Sequence, residues 1–127
     1  MKLIVFFLTL GYYSSAQLAP LPYKAHFVNN ELELTANDLI AIKNQVDSTK
    51  IVLKMQKLKY EVVNVSSYDS IYSEELDKLN RKRYTHIKKQ LVKYGVKRCK
   101  IVYKPHYFDL ETGLSFYGPH WKVAFLL

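Results

Sequence analysis

Residues 62–96 read VVNVSSYDSIYSEELDKLNRKRYTHIKKQLVKYGV, and this stretch decides the fold. Val62, Val63 and Val65 form a β-branched apolar run, which predicts a strand ending at Val65. Ser66 to Tyr72 is small and polar and predicts a loop that contains Asp69. Ser73 then suits a helix N-cap, with Glu74, Glu75 and Asp77 at the positive end of the helix dipole. Leu76, Leu79, Ile87, Leu91 and Tyr94 recur at the 3.6-residue period, with Tyr84 at the margin of the stripe. Lys88, Lys89 and Lys93 gather at the negative end, and Gly95 supplies a left-handed stop.

Working outward, Gly and Pro are absent from Leu32 to Tyr94. On the N-terminal side, Ala25 to Leu34 predicts a first strand ending in a turn or bulge around Asn29-Asn30. Thr35 can cap a helix from Ala36 to about Ser48, with Asp38 in its first turn and Leu39, Ile42, Val46 and Leu53 near helical spacing. Lys50 to Lys59 fits either a continued helix or an extended segment. On the C-terminal side, Arg98 to Tyr103 predicts a third strand closed by Pro105. Asp109 to Pro119 predicts a loop, and His120 to Leu127 a last strand. The class is therefore α+β: a small mixed sheet of about four strands with two helices on one face, in β-α-β-α-β-β order.

The first sixteen of the 127 residues, MKLIVFFLTLGYYSSA, have a Lys, an apolar run and small residues before Gln17, the layout of a cleaved secretory signal. The apolar run from Leu3 to Leu10 is shorter than the roughly 20 residues that span a bilayer. Residues 17–24 carry Pro20 and Pro22 and predict an extended lead-in, leaving 25–127 as a single domain with no transmembrane segment. The formal charge of +8 constrains partners rather than fold, and its basic residues are scattered among acidic ones, as on a solvated face. Cys99 is the lone cysteine, so no intrachain disulfide can form, and its apolar surroundings predict a buried small hydrophobe. His26, His86, His106 and His120 show no ligand spacing, so neither a metal site nor any other cofactor is expected. The aromatic residues from Tyr103 to Trp121 are expected to serve core packing and strand propensity.

Asp69 and Arg83 are the residues in the opening stretch with chemistry to offer. A helix N-terminus favours a carboxylate, an Arg within the helix adds a planar two-pronged contact to it, and an Asp alongside can take an ammonium. Such a pair matches the headgroup of an amino acid. The plainer alternative is that Arg83 is a solvated helix residue pairing with Asp69, Glu75 or nothing.

In order along the chain, FVNNELELT (27–35), VVNVSSYD (62–69), LNRKR (79–83), LVKYGV (91–96) and KVAF (122–125) together resemble the OmpA-like peptidoglycan-binding domain family. The resemblance covers 25–127. It implies a non-catalytic protein exported to the periplasm, or associated with the outer membrane, of a double-membrane bacterium. There it would anchor to the cell wall by binding the peptide stem of peptidoglycan, with Asp69 and Arg83 gripping the stem's zwitterionic end and Tyr68 and Ser70 as lesser contacts. On this reading Arg83→Ala would abolish wall binding and leave the melting temperature nearly unchanged. The chain departs from the family pattern at Ser66-Ser67-Tyr68 before the Asp, at Leu76, at Tyr84 after the Arg, and at Pro119-His120-Trp121. These departures leave room for a domain that has lost the ligand and acts as a protein–protein interaction module of the envelope. A small secreted basic hydrolase or nuclease is a further alternative that no motif singles out. A nucleic-acid partner is not expected, and the oligomeric state is not readable.

Overall fold

The computed structural model describes residues 23–28, 30–108 and 118–127. The stretch expected to be a secretory leader, most of the expected lead-in, Asn29, and residues 109–117 of the loop expected over Asp109 to Pro119 lie outside the described residues. The elements are β1 (Lys24–Ala25), α1 (Ala36–Gln56), β2 (Val62–Asp69), α2 (Glu74–Lys93), a 3-10 turn (Arg98–Lys100), β3 (Ile101–Tyr107) and β4 (His120–Leu126). This is the expected α+β order.

The four strands form one sheet in the order β1-β4-β2-β3. β2 pairs parallel with β3 across α2 and antiparallel with β4, and β1 pairs antiparallel with β4. Burial alternates strictly along β2, with Val63, Val65, Ser67 and Asp69 covered, because successive side chains point to opposite faces. Trp121, Val123 and Phe125 of β4 lie on the same covered face. Ile42 and Val46 of α1 and Ile87 and Leu91 of α2 close over them. Burying each such side chain stabilises the fold by about 1.5–3 kcal/mol before entropy is counted.

Four boundaries depart from expectation, each for a tertiary or local reason. β2 continues four residues past Val65 because Ser66, Ser67 and Tyr68 are paired on both sides, to β3 and to β4, which overrides the weak strand preference of serine. Asp69 therefore ends a central strand rather than sitting in a loop. α1 runs to Gln56 and stops at Lys57, whose left-handed φ of 56° directs its N–H to the carbonyls of Leu53 and Lys54. The first strand shrinks to Lys24–Ala25, after which Phe27 and Leu34 pack on the core and Glu31 N–H closes a turn onto Val28 O. The third strand starts at Ile101 and runs through Pro105, which is tolerated because β3 is an edge strand. Cys99, expected to be buried, sits exposed in the 3-10 turn before it.

The helix starts follow expectation. Thr35 Oγ1 accepts from Asp38 N–H at 3.2 Å, and Ser73 Oγ accepts from Leu76 N–H at 3.1 Å. Asp38 has a second use, since its carboxylate accepts from Tyr23 Oη and His26 N–H and so pins β1 against α1.

Candidate functional site

The covered face of β2 changes character from Val63 and Val65 to Ser67 and Asp69, and α2 mirrors this change. The buried stripe of α2 is Asn80, Arg83, Ile87 and Leu91, apolar over the middle of the sheet and polar over the C-terminal end of β2. Helical spacing puts Asn80 and Arg83 in line with Ile87 and Leu91, so the packing that buries the two apolar residues carries the two polar ones down onto the sheet. Leu76 and Leu79, expected in the stripe, are only half-buried.

The polar end is nearly closed from solvent: Asp69 is 7 % exposed, Arg83 5 % and Asn80 0 %. Asp69 Oδ1 accepts from Ser70 N–H at 2.8 Å, and Asp69 Oδ2 accepts from Asn80 Nδ2 at 3.2 Å. A carboxylate can only accept, so this contact fixes which end of the Asn80 amide faces it. The other end, Asn80 Oδ1, is a buried acceptor with no hydrogen bond among the described residues. Arg83 donates from Nε to Glu31 O at 2.9 Å and lays its guanidinium 4.6 Å from the centre of the Phe27 ring. Burial pulls the Arg83 guanidinium below its ordinary range, while the nearby Asp69 carboxylate pushes it the other way. The two charges singled out by sequence thus share one end of the molecule and act on each other, with Asn80 fixed against the acid.

The lesser candidates separate. Ser70 belongs with Asp69 through its N–H and is exposed. Tyr68 faces the opposite side of the sheet, stacked between His106 and His120 with ring centres 4.6 and 4.7 Å away. Tyr84 stacks on Tyr103 at 4.7 Å, over β3. Sequence reasoning missed Asn80 although it sits in LNRKR, three residues before Arg83 and therefore on the same helix face. It also missed Tyr107, the register partner of Asp69 on β3. Tyr107 Oη donates to Asp77 Oδ1 at 3.0 Å, and burial first, with Asp77 adding to it, pushes this phenol far above its usual range. Nothing short of the assembled sheet places Tyr107 beside α2.

Among the described residues no cluster of three or more His, Cys, Asp or Glu side chains could hold a metal ion. Among them, too, no helix is long and apolar enough to cross a membrane.

No protein-family model matches the chain, and no curated protein matches it. Among solved structures it is similar to the OmpA-like domain of FopA1 from Francisella tularensis subsp. tularensis SCHU S4. The TM-score is 0.55 at 19 % sequence identity, over 81 % of this chain and 70 % of the other. The fold is OmpA-like.

Proposed function

We propose that this protein binds the peptide stem of peptidoglycan without catalysing a reaction, as an exported component of a bacterial cell envelope. The observation that carries the reading is the convergence of Asp69 and Arg83 at the end of the central strand of an OmpA-like fold. Arg83 supplies a planar cation for a carboxylate, and Asp69, held by Ser70 N–H and Asn80, supplies the anion for an ammonium. The exposed rim Ser70, Ile71, Tyr72 and Ser73 borders Asp69 and leads into the first turn of α2, whose amides favour a carboxylate. The lesser contact is Ser70; Tyr68, on the other face, drops out of the site.

The test is co-sedimentation with purified sacculi, comparing wild type with Arg83→Lys and Asp69→Asn. Asp69→Asn keeps the size of the side chain and Arg83→Lys keeps its charge without the planar fork, and circular dichroism reports whether each variant is folded. Wild type should sediment with the wall, and folded variants should stay in the supernatant. Folded variants that sediment like wild type would refute the site.

A second reading has its own observation in favour. Both Asp69 oxygens are taken by the protein itself, and Arg83 is held by Glu31 O and Phe27. These contacts suit a domain that keeps the charges for structure and serves as a protein–protein module of the envelope. On that reading the wild type itself stays in the supernatant and retains an envelope protein in a pull-down.

A further inference from the structure

At the opposite pole, about 23 Å away along β2, lies a cavity of about 250 Å3 that the site above does not use. Its floor is apolar, made by Leu53, Leu58 and Tyr60, and its wall is five lysines, Lys50, Lys54, Lys59, Lys97 and Lys100. They come from two stretches far apart in sequence: the end of α1 with the segment that follows it, and the turn before β3. Among the described residues no acidic side chain lines the cavity. The ion pairs among the described residues, Lys43–Asp47 and Arg81–Asp77, lie elsewhere.

Two of the five ammonium groups are held in position by main-chain carbonyls. Lys50 Nζ donates to Tyr94 O at 2.7 Å, filling the space beside Gly95 that a Cβ would need. Lys100 Nζ donates to Tyr60 O at 2.9 Å and sits 4.9 Å from the centre of the Tyr60 ring. A carbonyl orients an ammonium but leaves its charge and its further donors unmet. Capping the last carbonyls of a helix accounts for Lys50, and ordinary solvation accounts for one or two surface lysines. Neither explains five lysines lining one apolar recess with no carboxylate among them in the described residues. A charge arrangement of this kind lowers the free energy of an anion entering it.

We propose that this recess binds a phosphomonoester carried on an apolar or carbon body. Lysines act as point charges suited to the several oxygens of a phosphate, and among the described residues no Arg lines the wall to provide the planar two-pronged contact typical of carboxylate recognition. The apolar floor takes the carbon body. The volume falls just under the roughly 300–1,000 Å3 of pockets that enclose whole drug-sized ligands, so it suits one headgroup rather than a length of polymer. The same chemistry comes from two sources, a soluble organic phosphate or the head of an anionic lipid.

The experiment uses the full chain at 0.15 M salt with two probes: glycerol 1-phosphate by calorimetry, and co-sedimentation with phosphatidylcholine vesicles with or without phosphatidic acid. It compares wild type with Lys54→Glu/Lys97→Glu, two exposed lysines of the recess, and with Lys78→Glu/Lys82→Glu in the first half of α2, about three to four turns from the recess end of that helix, which changes the net charge equally. Each lysine near an anionic surface contributes about a fivefold effect, so reversal of two at the recess should weaken binding at least about tenfold. The control pair should stay within about twofold of wild type. Binding of glycerol phosphate with this pattern assigns a soluble ligand, and binding confined to phosphatidic acid vesicles assigns a lipid head; either supports the site. Equal losses in the two pairs, no loss at the recess, or no binding of either probe by wild type would overturn it. Sedimentation with sacculi should be untouched by Lys54→Glu/Lys97→Glu, so this proposal and the peptidoglycan reading can fail separately.

Discussion

Arg83→Ala is the substitution on which the sequence and the folded chain disagree most. Read from the sequence as a ligand-gripping residue, Arg83 would be removable with almost no change in melting temperature. In the fold it is 5 % exposed, donates to Glu31 O at 2.9 Å and covers the Phe27 ring at 4.6 Å. A hydrogen bond from a charged donor contributes about 1.5–3 kcal/mol, and a cation over an aromatic face about 0.5–2 kcal/mol. Loss of both, with Asp69 left without its neighbouring cation, should cost about 3 kcal/mol, a large part of the roughly 5–15 kcal/mol that holds a small domain together. For a domain of this size that lowers Tm by about 12–24 °C. Urea unfolding followed by Trp121 fluorescence should show the midpoint falling with little change in slope, since Trp121 is buried in the core. A loss below about 0.5 kcal/mol would refute the view that Arg83 clamps the segment 27–34 to α2. The same substitution is consequently a poor reporter of ligand binding, which is why Arg83→Lys and Asp69→Asn are the variants for the sacculus assay.

Other outcomes follow from neighbouring contacts. Asn80→Leu should destabilise by about 1–3 kcal/mol in urea melts, because Asp69 Oδ2 loses its buried donor; adding Asp69→Leu should recover part of the loss, and strict additivity would contradict the pairing. Leu34 N–H donates to His86 Nε2, so that nitrogen must be unprotonated in the fold, and burial, with Lys89 adding to it, holds His86 below its usual pKa while Glu33 opposes them. A histidine lowered in the folded state contributes stability that is fully present above its unfolded pKa of about 6.5 and is lost as pH falls through the folded value. The urea midpoint of wild type should therefore drop more between pH 7.5 and 5.5 than that of His86→Gln, and equal drops would remove His86 as the cause. Lys57→Gly should raise stability by about 1 kcal/mol, because a left-handed φ of 56° strains a side-chain-bearing residue; a lower thermal midpoint would contradict this account of how α1 ends.

Local patterns carried most of the architecture. The caps Thr35 and Ser73, the stop at Gly95, the apolar period of α2 and the β-branched run before Asp69 are decided by residues within a few positions of one another, so they are legible in a one-dimensional string. Asp69 and Arg83 stand out in the string for the same reason, as an acid after a strand and a base on the following helix, which singles them out as candidates without showing what surrounds them.

What tertiary pairing decided lies where local preference is weak or where partners come from distant segments. Ser66 to Tyr68 have little drive to be a strand, yet β3 and β4 on either side make them one, and this turns Asp69 inward and Tyr68 outward. The burial of Asn80 and Arg83 was not legible, and only the packing of Ile87 and Leu91 on the sheet shows that their stripe continues into the interior. Cys99 looked like core and became exposed because the strand begins two residues later. The lysine recess gathers residues from 50 to 100, each indistinguishable from a solvated charge until the chain is folded. Helix and turn formation are settled by short-range sterics and hydrogen bonds, whereas burial of a charge depends on which distant surface closes over it.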